Sequence, residues 1–356
     1  MIKIKIAQLN AFVVFALLPW LTFFAPALLA YGLLVGLLVL NRKFIALLLF
    51  FTAAGAAYAL VEASPVREIL SPEQSLNAYN STFGWLIVLS LLFLKQDIAL
   101  QATRLVDALM LAFAITGLSA YYVFGIDVEA IIQIMGLTFA PYFAISQRHD
   151  QRIMVAAYMF LSGGRANALG FILAVVWDQF RYLRAVLSLP ALIGLLALVA
   201  SGSAAVLAYE YLQDLQNQAV YMKGRTAFWI GLLENPPDAI GAGAGYSLLV
   251  IEQIAGFFQL PHNDWLRVYS EFGYIGLITT LLAVVLLSQR GDVTRFATVV
   301  LGVSMVFDNT LSYPTAMAAY FIVCQSRSSQ LNKSRSDPEL TSPATQPAGG
   351  AAPVGQ

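Results

Sequence analysis

Charge is the property that this sequence most lacks. Only 11% of its 356 residues are charged, whereas 59% are hydrophobic, and soluble domains carry about one quarter charged residues. This composition excludes a water-soluble globular fold. The few charges also balance, with 20 basic and 20 acidic residues, so no polyanion-binding surface is indicated and nucleic acid is not an expected partner.

Cysteine and histidine are nearly absent as well. The single cysteine, Cys324, excludes a disulfide within the chain and any multi-cysteine metal site. The two histidines, His149 and His262, lie far apart, and the carboxylates are scattered without metal-ligand spacing. No nucleophile elbow of a serine hydrolase is present either. We therefore predict a protein that uses no metal and no other cofactor.

Apolar stretches long enough to cross a membrane are abundant. A helix needs about 20 apolar residues to span the hydrocarbon core, and a backbone in lipid must form helices or a closed barrel. We predict an all-α, polytopic transmembrane bundle of about twelve helices over residues 1–325, with one larger outer loop at 209–263. Residues 326–356 are rich in Ser, Pro, Ala and Gly and are predicted to be a disordered tail. The predicted spans are 8–24, 25–40, 43–62, 82–95, 103–124, 134–147, 151–163, 166–180, 184–208, 264–288, 293–309 and 311–325.

Basic residues alternate along the chain in a way that predicts its orientation. Lys and Arg in short loops favour the cytoplasm, and every second polar break is basic. The alternation predicts an even number of crossings with both termini in the cytoplasm. Because the chain must cross twice between the basic segments at 147–152 and 181–184, Arg165 is predicted at the outer face. The other basic breaks lie at 3–5, 41–43, 95–104, 289–295 and 327–335, and the acidic or mixed breaks lie at 63–81, 125–133, 209–263 and 308–310.

Two arginines are candidates for binding an anionic substrate at the outer face. Arg165 has no acidic neighbour in its own turn, and a charge near the bilayer is costly unless it is paired or functional; the alternative is a side chain that reaches lipid headgroups. Arg225 and Trp229 would share a helix face, where a guanidinium can bind phosphate bidentately and an indole can stack on a sugar. Lys223 adds a second positive charge, and we predict that Lys223 and Trp229 contact the substrate. The alternative for this segment is an amphipathic interfacial helix.

His262 is the candidate general base. Histidine is the side chain whose ordinary pKa lets it accept a proton near neutrality, and His262 lies directly before a predicted span. We predict that Asn263, Asp264 and Arg267 contact the substrate. One alternative is an interfacial histidine that caps a helix together with Asn263 and Asp264. Another is that Asp264, Arg267 and Glu271, which share a helix face, neutralise one another inside the bundle.

Three short motifs follow one another on the predicted outer face. They are Ser162-Gly163-Gly164-Arg165, then Gly224-Arg225-Thr226-Ala227-Phe228-Trp229 followed by Pro and a Gly-x-Gly turn, then His262-Asn263 leading to Glu271-Phe272-Gly273-Tyr274-Ile275-Gly276. In this order and spacing they resemble the O-antigen ligase and polymerase superfamily of bacterial envelope glycosyltransferases, over residues 150–285. The sequence departs from the family at Gly164, where members often carry serine, and this weakens the first motif.

The resemblance implies a GT-C-like glycosyltransferase in the bacterial inner membrane, with a periplasmic active site. It implies that a glycan is transferred from undecaprenyl pyrophosphate to an acceptor hydroxyl without a metal. Arg165 and Arg225 would bind the pyrophosphate, and His262 would activate the acceptor. The expected partners are an undecaprenyl-pyrophosphate-linked oligosaccharide, membrane lipid, and a chain-length regulator or flippase.

Three activities remain open at this point. The modest outer loop favours a polysaccharide polymerase, and an O-antigen ligase that transfers glycan to lipid A-core is the alternative within the family. A glycolipid or solute transporter is the alternative from another class. Transporter sites lie near the bilayer midplane, often between internal repeats, whereas the candidate charges here gather at one face.

Overall fold

The computed structural model describes residues 5–24, 27–123, 129–146, 149–161, 165–179, 225–234, 237–256 and 260–328. Within these ranges the protein is almost wholly helical, in agreement with the predicted all-α class. Two three-residue strands, β1 (Ile98–Leu100) and β2 (Ser326–Ser328), pair in parallel. The helices are α1 (Ile6–Phe12), α2 (Leu18–Phe24), α3 (Ala27–Leu40), α4 (Phe44–Glu62), α5 (Pro72–Ser90), α6 (Arg104–Tyr122), α7 (Glu129–Ile145), α8 (His149–Leu161), α9 (Arg165–Gln179), α10 (Arg225–Glu234), α11 (Tyr246–Ala255), α12 (Asp264–Ser288), α13 (Asp292–Phe307) and α14 (Pro314–Cys324), with a π-helical turn at Val13–Leu17 and 3₁₀ turns at Arg67–Ile69, Leu91–Phe93 and Thr310–Ser312.

Long apolar helices support the prediction of a membrane protein. Three helices in the described ranges are long and apolar enough to cross a membrane, and six further apolar helices are shorter. The predicted span at 184–208 lies outside the described residues, as do residues 209–224 of the outer loop and 329–356 of the tail. The count of twelve spans therefore stays a prediction. The three long helices are Phe44–Glu62, Pro72–Phe93 and Asp264–Ser288.

Helix α5 begins earlier than hydropathy predicts. The prediction placed a break at 63–81 and a span at 82–95, whereas the helix starts at Pro72. Ser71 caps it: its hydroxyl accepts from the Gln74 N–H at 3.2 Å, and the Gln74 side chain accepts from the Ser71 N–H at 2.8 Å. A reciprocal cap followed by proline is a strong helix start. The prediction was wrong here because it weighed apolar residues and overlooked the capping signal.

Helix α14 forms the centre of the bundle. Every residue from Ala316 to Cys324 is at most 1% exposed, and the helix packs against α3, α5, α7 and α13. A helix that is apolar on all sides is expected to be buried on all sides.

One end of the bundle brings together polar breaks that contain Lys or Arg. We call it the basic end. Asn10 and Asn41 exchange side-chain hydrogen bonds of 3.0 and 2.8 Å, and Lys43 forms an ion pair with Asp97. Strand β1 pairs with β2 beside them. The side of the membrane on which this end lies stays a prediction. The basic end comprises residues 5–10, 41–43, 95–101, 289–295 and 324–328.

The opposite end of the bundle carries His262, and we call it the histidine end. Helix α12 joins the two ends, and its 25 residues correspond to about 37 Å of regular helix. At the histidine end the Ser64 hydroxyl donates to the Ala244 carbonyl at 2.8 Å, and the His262 N–H donates to the Asn309 side chain. The histidine end comprises residues 63–71, 237–245, 260–264 and 308–313.

Helices α9 and α13 run antiparallel. The Ser304 hydroxyl donates to Asn167 Oδ1 at 2.5 Å near the start of α9, whereas Arg295 lies 3.4 Å from Asp178 near its end. Because α13 ends at the histidine end, the first residue of α9, Arg165, also lies at that end.

Candidate functional site

The backbone of His262 is strained. Its φ is 50°, in the left-handed region that residues with a side chain rarely adopt, and such a conformation costs about 1–3 kcal/mol. A hydrogen bond of 2.9 Å from the His262 N–H to Asn309 Oδ1 holds it in place. Strained residues of this kind concentrate at functional sites, and Arg42 at the basic end has a similar φ of 55°. The assignment of His262 to a functional site stays a prediction.

The imidazole of His262 is held from its Nδ1 side. This nitrogen lies 3.3 Å from Asn309 Nδ2 and 3.6 Å from Asp308 Oδ1. The side chains of His262 and Asp308 are 13% and 14% exposed, so both are mostly buried and still reach the surface. Both of these contacts are made at Nδ1, so an amide and a carboxylate fix the orientation of the ring.

Sequence reasoning missed Asp308 and Asn309. These residues follow α13 and precede the Thr310–Ser312 turn, in a break that the sequence analysis had placed on the outer side. A charged residue next to an amide between two apolar runs is the signal that could have identified them. A polar break of only three residues is a weak signal in the sequence.

Asn263 and Asp264 fix the start of α12. The Asn263 side chain accepts from the Leu266 N–H at 2.9 Å and caps the helix, as one alternative expected. Asp264 is fully buried, and its Oδ2 accepts from the Leu311 N–H at 2.8 Å. Its Oδ1 has no hydrogen-bond partner among the described residues. Asp264 thus ties the first turn of α12 to the turn after α13.

Arg267 and Glu271 form a buried ion pair. The Arg267 Nε donates to Glu271 Oε1 at 3.1 Å, and each side chain is 1% exposed. The other two guanidinium nitrogens donate to the Ser312 hydroxyl at 2.9 Å and to the Asn77 carbonyl at 3.2 Å. Glu271 also accepts from the Ser247 hydroxyl at 2.5 Å. The two residues neutralise each other inside the bundle, and a substrate could contact Arg267 only if these bonds were broken.

Trp229 ties α10 to the segment before His262. Its indole nitrogen donates to the Pro261 carbonyl at 3.1 Å, and the side chain is 2% exposed. The ring packs with Phe228 in a small apolar cluster that also touches Leu266. This burial gives Trp229 a role in packing, and its predicted contact with a substrate sugar stays a prediction.

The predicted arginines begin two helices near this site. Arg165 is the first residue of α9, and Arg225 is the first residue of α10. Four residues correspond to about 6 Å along a helix axis, so the main chain of Arg225 lies about one turn from Trp229. Lys223 lies outside the described residues.

The structure brings an oriented imidazole and the starts of α9 and α10 to one end of the bundle. A carboxylate and an amide contact the imidazole, and helix N-termini in general favour anions. In the part of the chain that the structure describes, no group of three or more His, Cys, Asp or Glu side chains is arranged to hold a metal ion. Comparison of the chain with protein-family models and with curated proteins finds no match.

Proposed function

We propose that this protein is a membrane glycosyltransferase that polymerises lipid-linked repeat units. It takes a glycan from undecaprenyl pyrophosphate and joins it to an acceptor sugar hydroxyl, without a metal, at the periplasmic face of a bacterial inner membrane. The observation that carries the proposal is the oriented imidazole of His262 at the end of the bundle where the helices headed by Arg165 and Arg225 begin. Both termini are then cytoplasmic.

The proposed chemistry needs few groups because pyrophosphate is a good leaving group. The acceptor hydroxyl oxygen attacks the anomeric carbon, and the bond from that carbon to the pyrophosphate oxygen breaks. His262 takes the hydroxyl proton on its imidazole. Arg165 and Arg225 stabilise the negative charge on the departing pyrophosphate, since guanidinium groups bind phosphate oxygens bidentately.

Asp308 supports the base in this scheme. When His262 takes the proton it becomes a cation, and a carboxylate 3.6 Å from Nδ1 stabilises that cation. Asn309 contacts His262 twice, through its backbone N–H and through Nδ1 of its imidazole. We assign Asp308 and Asn309 as positioning residues, and Arg267 and Glu271 as the buried support beneath them.

Purified protein reconstituted with an undecaprenyl-pyrophosphate-linked oligosaccharide tests the proposal. A ladder of longer lipid-linked glycans is expected. Transfer to added lipid A-core alone would instead indicate a ligase. Movement of the intact glycolipid between leaflets, with no new glycosidic bond, would indicate a transporter and would contradict the proposed chemistry.

Conservative variants test the assigned roles at equal membrane abundance. Arg165→Lys and Arg225→Lys keep the charge and lose bidentate binding, so each is expected to slow transfer by about tenfold or more. Asp308→Asn keeps the size of the side chain and removes its charge, and it should lower kcat with little change in KM. A full rate in either lysine variant would contradict the pyrophosphate-binding role of that arginine.

A further inference from the structure

Helix α12 is broken within its first half. Gly273 has a φ of 64° and a ψ of −161°, which are not helical, and the break interrupts the helical hydrogen-bond ladder. The carbonyls of Ser270 and Glu271, just before the break, accept hydrogen bonds from the N–H groups of Ala242 and Gly243, each at 3.0 Å. Backbone groups of a loop distant in sequence therefore complete the hydrogen bonding of this helix.

The loop and the break approach each other so closely that both require glycine. A Cβ on Gly273 would lie 2.2 Å from the Ala239 carbonyl oxygen, and a Cβ on Gly241 would lie 2.2 Å from the Glu271 carbonyl oxygen. Both glycines also have positive φ, which side chains disfavour. We call this contact between residues 239–243 and 270–273 the loop–kink junction.

Buried side chains reinforce the loop–kink junction. Ser247, in the helix that follows the loop, donates to the Glu271 carboxylate at 2.5 Å. The same carboxylate accepts from Arg267 one turn earlier in α12. Glu271 thereby joins the helix after the loop to the first segment of α12, which begins two residues after His262.

We infer that Gly241, Gly273 and Glu271 are positioning residues for His262. The loop–kink junction fixes the angle between residues 263–272 and the part of α12 after Gly273, and this angle determines where His262 lies. This inference rests on the proposed function of His262 as the base. A helix segment that turns about the break would carry His262 away from Asp308 and Asn309. A displacement of about 1 Å in a catalytic group lowers the rate by about 10²-fold.

Alanine substitutions with a matched control test this role. Gly241→Ala and Gly273→Ala disrupt the junction. Gly256→Ala is the control, because Gly256 also has a positive φ, of 75°, but no atom of the described residues lies within 4 Å of its Cβ position. The control therefore carries the same backbone strain without any contact at the junction. Ser247→Ala, which removes only one hydrogen bond to Glu271, is the milder variant if Gly273→Ala does not accumulate.

The chemical reactivity of His262 reports its position without any transferase assay. In a His149→Gln background it is the only histidine, and its rate of modification by diethyl pyrocarbonate can be followed by mass spectrometry. We expect modification to become several-fold faster in Gly241→Ala and Gly273→Ala, because the contacts at Nδ1 are lost, and to remain unchanged in Gly256→Ala. In parallel, kcat should fall by about 10²-fold with KM nearly unchanged.

Two outcomes separate the inference from the proposed function. If folded Gly241→Ala protein keeps both the reactivity of His262 and the wild-type kcat, the loop–kink junction does not position His262 and the inference is overturned. If the wild-type protein transfers no glycan, the proposed function fails, but the reactivity measurements still decide whether the junction sets the position of His262.

Discussion

The charged side chains at the two ends of the bundle differ in their burial and in their hydrogen-bond partners. At the basic end, Arg290 donates to three main-chain carbonyls at the end of α5, and Arg295 bonds two carboxylates and is 7% exposed. Arg295 also donates to the Ser288 and Arg290 carbonyls at the end of α12. Both cations therefore satisfy carbonyls at helix C-termini, which lack helical partners and favour positive charge. At the histidine end, His262 is partly exposed next to a carboxylate.

This difference separates charged groups that are fully bonded inside the protein from a titratable group that reaches the surface. Arg267 lies near the histidine end but resembles the arginines of the basic end, because protein atoms take up its guanidinium nitrogens. Residue type and position along the sequence do not distinguish these roles. Burial and hydrogen-bond partners do.

The largest expected effect comes from removing the proposed base. His262→Ala should slow glycan transfer by about 10²–10⁴-fold, because no group remains to accept the proton of the acceptor hydroxyl. Stability should also fall, by about 1–3 kcal/mol, because Asn309 and Asp308 lose a mostly buried partner, so the rate is compared per folded molecule. Initial rates in proteoliposomes at equal protein content measure the loss. His149→Ala, at the start of α8, is the control that should keep the full rate, and normal transfer by His262→Ala would remove the base from the scheme.

The second-largest expected effect is a loss of stability when Arg267 is replaced. Arg267→Met leaves Glu271 buried without its cation, and breaking a buried pair on one side costs about 3–5 kcal/mol. The apparent free energy of unfolding in detergent measures this loss. The double variant Arg267→Met, Glu271→Leu removes both charges and should recover much of it. If the single and double variants were equally stable, the pair would not be the support that the structure indicates.

The sequence was sufficient to predict the mostly helical class with apolar, membrane-type helices, because apolar composition acts over the whole chain. The role of His262 stays a prediction. It did not predict that Arg267 and Trp229 are tied to Ser312 and Pro261, because these contacts join segments up to 45 residues apart. It also overlooked Asp308, whose importance depends on the turn that brings it beside His262. Local patterns predict elements, whereas contacts between distant segments decide which polar groups can react.

A smaller effect is expected at the basic end. In the native protein the guanidinium of Arg290 lies within 2.9 Å of the Leu91, Leu92 and Leu94 carbonyl oxygens. Arg290→Ala leaves these three carbonyls without that donor. Partly buried acceptors that lose their partners cost about 1–3 kcal/mol. The apparent melting temperature in detergent should fall, while the transfer rate per folded molecule stays at the wild-type value. A strong loss of rate without a loss of stability would show that chemistry is not confined to the histidine end.

The smallest effect concerns exposed ion pairs, one at each end. Glu62 and Arg67 lie 3.0 Å apart near the histidine end with side chains 42% and 35% exposed, and Lys43 pairs with a 46% exposed Asp97 at the basic end. Exposed pairs contribute about 0–1 kcal/mol, so Glu62→Gln and Asp97→Asn should both leave the melting temperature and the transfer rate almost unchanged. If Glu62→Gln alone slowed transfer, the active region would extend beyond His262 to the 63–71 loop. Equal, small effects at the two ends would mean that the contribution of a polar group to stability and to the transfer rate depends on its burial and not on the end of the bundle where it lies.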